Sequence, residues 1–296
     1  MGEEDLCPDS EVAQYRECKK KNKPMKHLFI TFIFILLLIP TQANDLPFQN
    51  GEELKFDIHY KYGLLMLKAG SANYKIENGS YKNHKSFNST LDFKTTSFFD
   101  KIFKMRDTLR SYIAEDLTPL YHIRSIHEGN YNFTEEVFIN KFSPTNSEVR
   151  IKRESKEILK IDTILSTNTI GYDILNLIQF IRSQDYSKWR YVPSGNISTF
   201  VGKDIVTITV RCEGQSIVEK SETHKFKTYK IALDFTDNVF NESKSAIEIW
   251  MSDDENRIPI KIRAKLRIGM AEVYLTSWKN LKYPFSAEVI IPVKKK

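Results

Sequence analysis

Cysteine is scarce in this chain of 296 residues, which contains only three. Two of them, Cys7 and Cys18, stand within the first 24 residues, so the remainder keeps Cys212 alone. A single thiol cannot form an internal disulfide. Cys212 continues the apolar alternation of the segment before it, which favours a buried, inert thiol over a nucleophile. The sequence therefore predicts a fold that forms without disulfide bonds.

Long apolar runs are also missing. The run Leu28–Ile39 has twelve residues, of which only Thr31 is polar. A transmembrane helix needs about 17 residues or more, so this run is too short to span a bilayer. It follows Met25 and two basic residues, and small and polar residues continue to Ala43. This is the pattern of a secretory signal peptide that is cleaved before residue 44.

We therefore expect residues 1–24 to be an extension upstream of the real start and residues 25–43 to be a signal peptide. Residues 44–296 are expected to form a single exported β-rich domain without a transmembrane span. The alternative is a cytoplasmic tail followed by a short signal anchor.

The chain has no condensed basic tract with interleaved aromatic residues, so a nucleic-acid partner is not expected. Lys and Arg number 44 against 38 Asp and Glu, a net charge of +6. A mild excess of this kind suits anionic lipid or polysaccharide, but it is also an ordinary value for solubility.

Catalytic and metal-binding patterns are absent as well. The sequence shows no nucleophile elbow, no glycine-rich phosphate loop and no Ser/His/Asp order. His122 and His127 are five residues apart on one predicted strand, which puts them on opposite faces and argues against a shared zinc ion. We therefore predict no metal site and no cofactor.

What the sequence does contain is strict alternation. The stretch Glu248–Trp278 reads as three strands and two turns, and its middle strand alternates from Ile258 to Ile268. In this strand the even-numbered residues are apolar and lie on one face, and the odd-numbered residues on the opposite face are mostly basic. This pattern predicts an antiparallel sheet with one dry face. The basic face consists of Lys261, Arg263, Lys265 and Arg267.

Two further signals refine the fold. The alternation changes parity at Gly70–Ser71, which indicates a β-bulge of the kind that bends a sheet. Apolar residues recur at three- and four-residue spacing over Thr169–Ser183, which predicts one amphipathic helix with Asn168 or Thr169 as N-cap. The predicted fold class is mostly β, with a curved antiparallel sheet or open β-barrel-like fold and one packed amphipathic helix.

The most acidic turn contains Asp253, Asp254 and Arg257. Adjacent carboxylates could serve as acid and base on a glycan or hold a hard cation. Asp, Asn and Ser are equally what a hairpin connection requires, and the spacing lacks the glycine of a calcium loop. The hairpin interpretation is favoured, and both stay open.

Asp107 falls on the apolar side of its predicted strand. A carboxylate there must be paired or hydrogen-bonded to stay charged. Arg124, on a later strand, is a plausible partner, and a structural pair competes with a pocket-lining role. Trp250 and other aromatic residues are candidates to line a lipophilic cavity, although aromatic residues in β proteins more often form the core.

With these landmarks in place, the chain resembles DUF3108, a family of bacterial envelope proteins of unknown function. The resemblance covers nearly all of Leu46 to Trp278 and implies an exported β-rich protein, often from Gram-negative bacteria, without catalytic residues to carry over. It rests on Asn50–Leu54, Leu67–Gly70, Asp107 with Ser111–Tyr112, Leu117–Pro119, Tyr172–Leu175 and Trp250–Pro259.

The function expected from these features is non-catalytic. We expect an exported protein of the periplasm or outer-membrane periphery that binds a lipid or glycan component of the envelope. An envelope hydrolase using the turn Asp253–Arg257 and a scaffold for another envelope protein are the alternatives.

Overall fold

The computed structural model describes residues 45–143, 146–155, 161–168, 171–189, 196–201, 204–221, 224–236 and 243–290. The expected upstream extension and signal peptide lie outside these residues. Strands make up 69% of the structure, so the prediction of a mostly β fold is confirmed.

The described residues form fifteen strands and three short helices. The helices are α1 (Ser97–Asp100), α2 (Ile174–Ser183) and α3 (Tyr186–Trp189). The strands are β1 (Glu52–Tyr62), β2 (Leu65–Tyr81), β3 (His84–Thr95), β4 (Arg106–Ala114), β5 (Pro119–Glu128), β6 (Tyr131–Ser143), β7 (Asn146–Glu154), β8 (Ile161–Thr167), β9 (Asn196–Val201), β10 (Asp204–Glu219), β11 (His224–Thr236), β12 (Ser243–Ser252), β13 (Pro259–Lys265), β14 (Met270–Lys279) and β15 (Glu288–Ile290).

All these strands belong to one antiparallel sheet that is nearly closed into a barrel. Its order is β8-β7-β6-β5-β4-β3-β2-β1-β14-β13-β12-β11-β10-β9, and β15 pairs with β11. The two ends of this path approach each other, because Thr167 Oγ1 on β8 lies 3.3 Å from Ser198 Oγ on β9. Gly171, after β8, also forms an isolated bridge with Ser198.

Bulges bend the strands where the sequence changes parity. The β1–β2 register shifts between Ile58 and His59, which leaves Ala69 as the extra residue on β2. The predicted bulge is thus confirmed beside Gly70. A Cβ atom at Gly70 would lie 2.6 Å from the carbonyl oxygen of Lys94, so the close approach of β2 and β3 requires glycine there.

The predicted three strands in Glu248–Trp278 are confirmed as β12, β13 and β14. One part of that prediction is wrong. The strand β13 ends at Lys265, and the next two apolar residues of the pattern, Leu266 and Ile268, are 46% and 64% exposed in the turn. The apolar alternation in the sequence thus continues past the end of β13, beyond the buried face of the sheet.

The helix α2 lies inside the curved sheet, and it begins later than predicted. Its N-cap is Asp173, whose carboxylate accepts hydrogen bonds from the amides of Leu175 (2.9 Å) and Asn176 (3.1 Å). The preceding residues are held extended because the Tyr172 amide donates to the carbonyl of Ser198 (2.8 Å). An N-cap at Asn168 or Thr169 is therefore wrong, whereas the predicted end at Ser183 is confirmed.

Burial along the inner face distinguishes the two ends of the barrel. On β1, Leu54 and Phe56 are buried, whereas Ile58 and Tyr60 are only partly buried. On β13 the same change occurs after Ile260. We call the end where β1 begins the closed end and the end where the β1–β2 hairpin turns the open end.

Candidate functional site

The helix α2 divides the interior of the barrel between two cavities. One, of about 220 Å³, lies against β5, β6, β10 and β11 and has polar side chains in its wall, among them His122, Arg124, Glu135 and Asn176. The other, of about 180 Å³, lies against β1, β2, β12 and β13 and exposes no polar surface. We call them the polar cavity and the apolar cavity. Ile174, at the start of the helix, lines both.

Asn176 is the most unusual group in the polar cavity. The residue is 0% exposed, and neither its side-chain oxygen nor its nitrogen has a hydrogen-bond partner among the described residues. Gln179, one helical turn further on, is in the same situation. A buried polar group without a partner costs about 1–3 kcal/mol. The site therefore offers unused hydrogen-bonding capacity to a bound polar group.

A charge cluster stands beside Asn176 in the wall of the polar cavity. Glu135 is 2% exposed and receives hydrogen bonds from Arg124 Nε (2.7 Å) and Arg153 Nε (2.7 Å). Both guanidinium groups also lie over the ring of Phe133, at 5.3 and 4.6 Å from its centroid. The cluster itself carries two cations against one carboxylate, but of its members only Arg124 and Glu135 line the cavity, together with the carboxylate of Asp173. The guanidinium of Arg124 is thus the cationic group that this wall presents to a polar ligand group.

The N-terminal end of α2 is tied to β4 and β5 by a Ser/His/Asp cluster. Ser111 Oγ donates to Asp173 Oδ1 (2.5 Å) and lies 2.9 Å from His122 Nδ1. His122 Nδ1 lies 3.5 Å from the same Asp173 oxygen. In a hydrolytic triad the imidazole stands between acid and nucleophile and uses both ring nitrogens. Here the Ser111 hydroxyl and the Asp173 carboxylate both lie beside the same nitrogen of His122, Nδ1. The cluster therefore positions the helix and does not have the geometry of a catalytic triad.

The C-terminal end of α2 is anchored at the closed end by a buried ion pair. Arg182 and Glu52 are both fully buried, and Arg182 donates to the two carboxylate oxygens at 2.6 and 2.9 Å. The same guanidinium donates to the carbonyls of Asn256 (2.9 Å) and Pro47 (3.2 Å). Sequence reasoning missed this pair because its members are 130 residues apart.

Asp107 is buried as predicted, but its partner is different. Its Oδ1 accepts a hydrogen bond from the backbone amide of His127 (2.9 Å), in place of a strand-ladder bond. The pairing of Asp107 with Arg124 is wrong, because Arg124 pairs with Glu135. The charge of Asp107 also affects a neighbouring carboxyl group. The pKa of Glu128 is raised, first by the partial burial of Glu128 and second by the negative charge of Asp107.

The acidic turn lies at the closed end, where its carboxylates stabilise the β12–β13 connection. Asp254 Oδ1 accepts from the Ser252 hydroxyl (2.7 Å) and from the amides of Asn256 (3.1 Å) and Arg257 (3.2 Å). Asp253 Oδ2 accepts from the side chain of Gln215 (3.0 Å).

The turn borders an outer cleft of about 270 Å³ that also includes Asp185 and Tyr186. Neither Asp107 nor a histidine lines this cleft. Arg257 faces the helix end rather than the carboxylates, since its Nη1 donates to the carbonyl of Arg182 (3.2 Å) and its guanidinium lies over the ring of Tyr186 (5.7 Å).

Trp250 lies among charged side chains and lines neither the polar nor the apolar cavity. The cationic groups of Lys230, Lys261 and Arg263 lie 5.3–5.5 Å from its ring centroid. The predicted basic face is partly neutralised there, because Lys261 and Arg263 pair with Glu272 at 3.4 and 3.1 Å. Partial burial lowers the pKa of Lys261, although Glu272 opposes that shift.

Within the described ranges, no three side chains of His, Cys, Asp or Glu are grouped so as to hold a metal ion. In that same part of the chain, no helix has the length and apolarity that a bilayer crossing requires.

Comparisons with known proteins agree with this fold. The model of the family described as "Protein of unknown function (DUF3108)" matches residues 55–276, which confirms the predicted resemblance. A crystal structure of a β-barrel-like protein of the DUF1849 domain family from Brucella abortus aligns with a TM-score of 0.54 at 12% identity, covering 78% of this chain and 98% of that one. At this identity the similarity shows the fold alone. No curated protein matches the chain.

Proposed function

The chain belongs to the DUF3108 family, and we propose that it is an exported, non-catalytic binding protein of the cell envelope that holds an amphipathic lipid inside its barrel. The observation that carries this proposal is the fully buried Asn176, whose amide has no partner among the described residues and which lines a cavity beside an apolar one. Buried polar groups are otherwise nearly always hydrogen-bonded.

The two cavities match the two parts of such a ligand. The apolar cavity, walled by residues such as Phe56, Leu91 and Ile249, suits an acyl chain. The polar cavity offers the Asn176 amide and the guanidinium of Arg124 to a headgroup. A lipid that bends over Ile174 would occupy both, since that residue borders both cavities.

Access from outside supports the same function. The inner face becomes more exposed toward the open end, and Ile174 is 38% exposed. The closed end is sealed by the Arg182–Glu52 pair. A ligand would thus enter and leave at the open end without unfolding the barrel.

Export to the periplasm or outer-membrane periphery is part of the proposal and rests on the N-terminal sequence pattern. It is tested by N-terminal sequencing of the protein recovered from the envelope fraction. A chain beginning at residue 44 supports export, and recovery of residues before it overturns the signal-peptide interpretation.

The hydrolase alternative has less support, because the carboxylates of its turn are bonded to the amides and side chains around them. The same turn borders the outer cleft at the closed end and lines neither of the two interior cavities. We therefore keep the binding function as the single proposal.

Ligand binding is tested by titrating the protein with a fluorescent fatty acid and with its methyl ester. Ala264→Phe places a ring in the apolar cavity, where Ala264 forms part of the wall. Overpacking of this kind costs about 1–3 kcal/mol, so both probes should bind about 5- to 150-fold more weakly. Asn176→Leu should weaken the free acid more than the ester, because only the acid presents a charged headgroup.

The matched control is Ile217→Ser, which removes an exposed apolar side chain from β10. It should bind both probes like the wild type. Absence of probe binding by the wild type, or unchanged binding by a folded Ala264→Phe variant, would refute the proposed function.

A further inference from the structure

Two hairpins project side by side at the open end of the barrel. β1 pairs with both β2 and β14, so the β1–β2 turn and the β13–β14 turn are neighbours. Lys61 lies opposite Met270 in this register, and Tyr60 Oη donates to the carbonyl of Ile268 (3.2 Å). We call residues 60–68 and 264–270 the paired hairpins.

The paired hairpins expose apolar side chains that no described residue covers. Leu64 is fully exposed and Ile268 is 64% exposed. Single exposed apolar residues are ordinary, whereas a contiguous group of them indicates a surface that binds something. The other exposed apolar members are Tyr62, Leu65, Met66, Leu67 and Leu266.

The charges on the same hairpins all have one sign. Residues 60–68 and 264–270 include Lys61, Lys68, Lys265 and Arg267 and contain no Asp or Glu. Paired acids lie further down the strands, where Asp57 meets Lys68 at 2.7 Å and Glu272 meets Arg263 at 3.1 Å. Apolar tips flanked by cations are the composition of segments that insert into the interface of an anionic membrane.

We propose that the paired hairpins dock the open end on an anionic phospholipid bilayer. The apolar tips enter the headgroup region, and the flanking cations contact lipid phosphates. A second copy of the chain is a poorer partner, because the paired hairpins contain no Asp or Glu and a two-fold contact through them would bring like charges together. The inference goes beyond the proposed function, since none of these side chains except Ala264 lines an interior cavity.

Docking is tested by sedimenting the full chain with vesicles of phosphatidylcholine alone or mixed with phosphatidylglycerol. Binding should require the anionic lipid and weaken as salt is added. Leu64→Ser/Leu65→Ser should weaken binding about tenfold for each leucine removed. Lys61→Gln/Arg267→Gln should weaken it about fivefold for each cation removed, and only on anionic vesicles.

Two controls isolate the hairpins. Ile217→Ser loses a side chain that is 54% exposed but lies on β10, so its binding should stay unchanged. All variants share the N-terminal apolar run, so membrane affinity that arises from that run would not differ among them. In Leu64→Trp, spin-labelled lipid should quench the added tryptophan fluorescence, so a larger fraction of the emission should be quenched than in the wild type.

Equal sedimentation of the leucine variant and the wild type, or an unquenched Trp at position 64, overturns the proposal. So does a concentration-dependent dimer that the leucine variant abolishes, because the hairpins would then bind a second copy. Failure of the fatty-acid titration leaves this result unaffected, since docking is measured without any ligand in the barrel.

Discussion

The buried pair between Arg182 and Glu52 gives the sharpest prediction about how the helix α2 is held. Arg182→Met removes a guanidinium that is fully buried and that makes two bonds to Glu52, at 2.6 and 2.9 Å. The carboxylate of Glu52 is then left buried without its cation. Breaking a buried ion pair in this way costs about 3–5 kcal/mol.

That loss is large against the 5–15 kcal/mol by which folded domains are usually stable. In urea unfolding it should shift the midpoint down by roughly 1–2 M at an unchanged slope. The melting temperature should fall by about 2–4 °C for each kcal/mol of unfolding free energy that is lost. The effect should be seen without any ligand, because the pair lies at the closed end.

The double variant Glu52→Leu/Arg182→Met is the matched control. Replacing both charges by apolar groups removes the uncompensated carboxylate, so the double variant should be more stable than Arg182→Met alone. A loss below about 1 kcal/mol in the single variant, or a double variant less stable than it, would refute this reasoning.

Three smaller predictions follow from the polar groups of the interior. Asp107→Ala should lower the free energy of unfolding by about 1–3 kcal/mol, because it leaves the backbone amide of His127 without an acceptor. Asp107→Asn keeps an acceptor and should lower the free energy of unfolding by less. Equal melting temperatures for the wild type and Asp107→Ala would contradict this. The pKa of Glu128 is raised, so ionisation of its carboxyl group opposes folding. The stability associated with the protonated carboxyl group is fully present at low pH and is lost as the pH rises through the pKa of the folded state. Glu128→Gln should therefore have a higher melting temperature than the wild type at pH 7, but not at a pH below the usual pKa range of carboxyl groups. A difference in melting temperature that stays constant across pH would contradict the ionisation of Glu128 as its cause. Asn176→Leu should raise the urea midpoint of the ligand-free protein, corresponding to about 1–3 kcal/mol, and a lower midpoint would show that Asn176 is satisfied in solution.

The sheet was predictable because its signal is local. Alternation with period two and one parity break identify strands and a bulge directly, as in β13 and beside Gly70. The start of α2 was not predictable in the same way. Residues Gly171 and Tyr172 fall within the predicted helix Thr169–Ser183, but they bond to Ser198 of β9, a contact that only the closed sheet creates.

The site was predictable only in part, since it depends on register. Arg124 stands opposite Leu109 on β4 and opposite Glu135 on β6, so the directly cross-strand acid becomes its partner in place of Asp107. Asn176 and Gln179 are visible in the sequence as polar residues on a mostly apolar helix. Neither side chain has a partner among the described residues, and Asn176 borders the polar cavity, which sequence spacing does not reveal.

The most direct test of the central claim is native mass spectrometry of the chain purified from its own envelope fraction without detergent. The account predicts a mass increased by one lipid, released on denaturation, and absent from the Ala264→Phe variant prepared in parallel. A wild-type chain at the mass of the polypeptide alone, or a lipid retained equally by the cavity-filling variant, would contradict it.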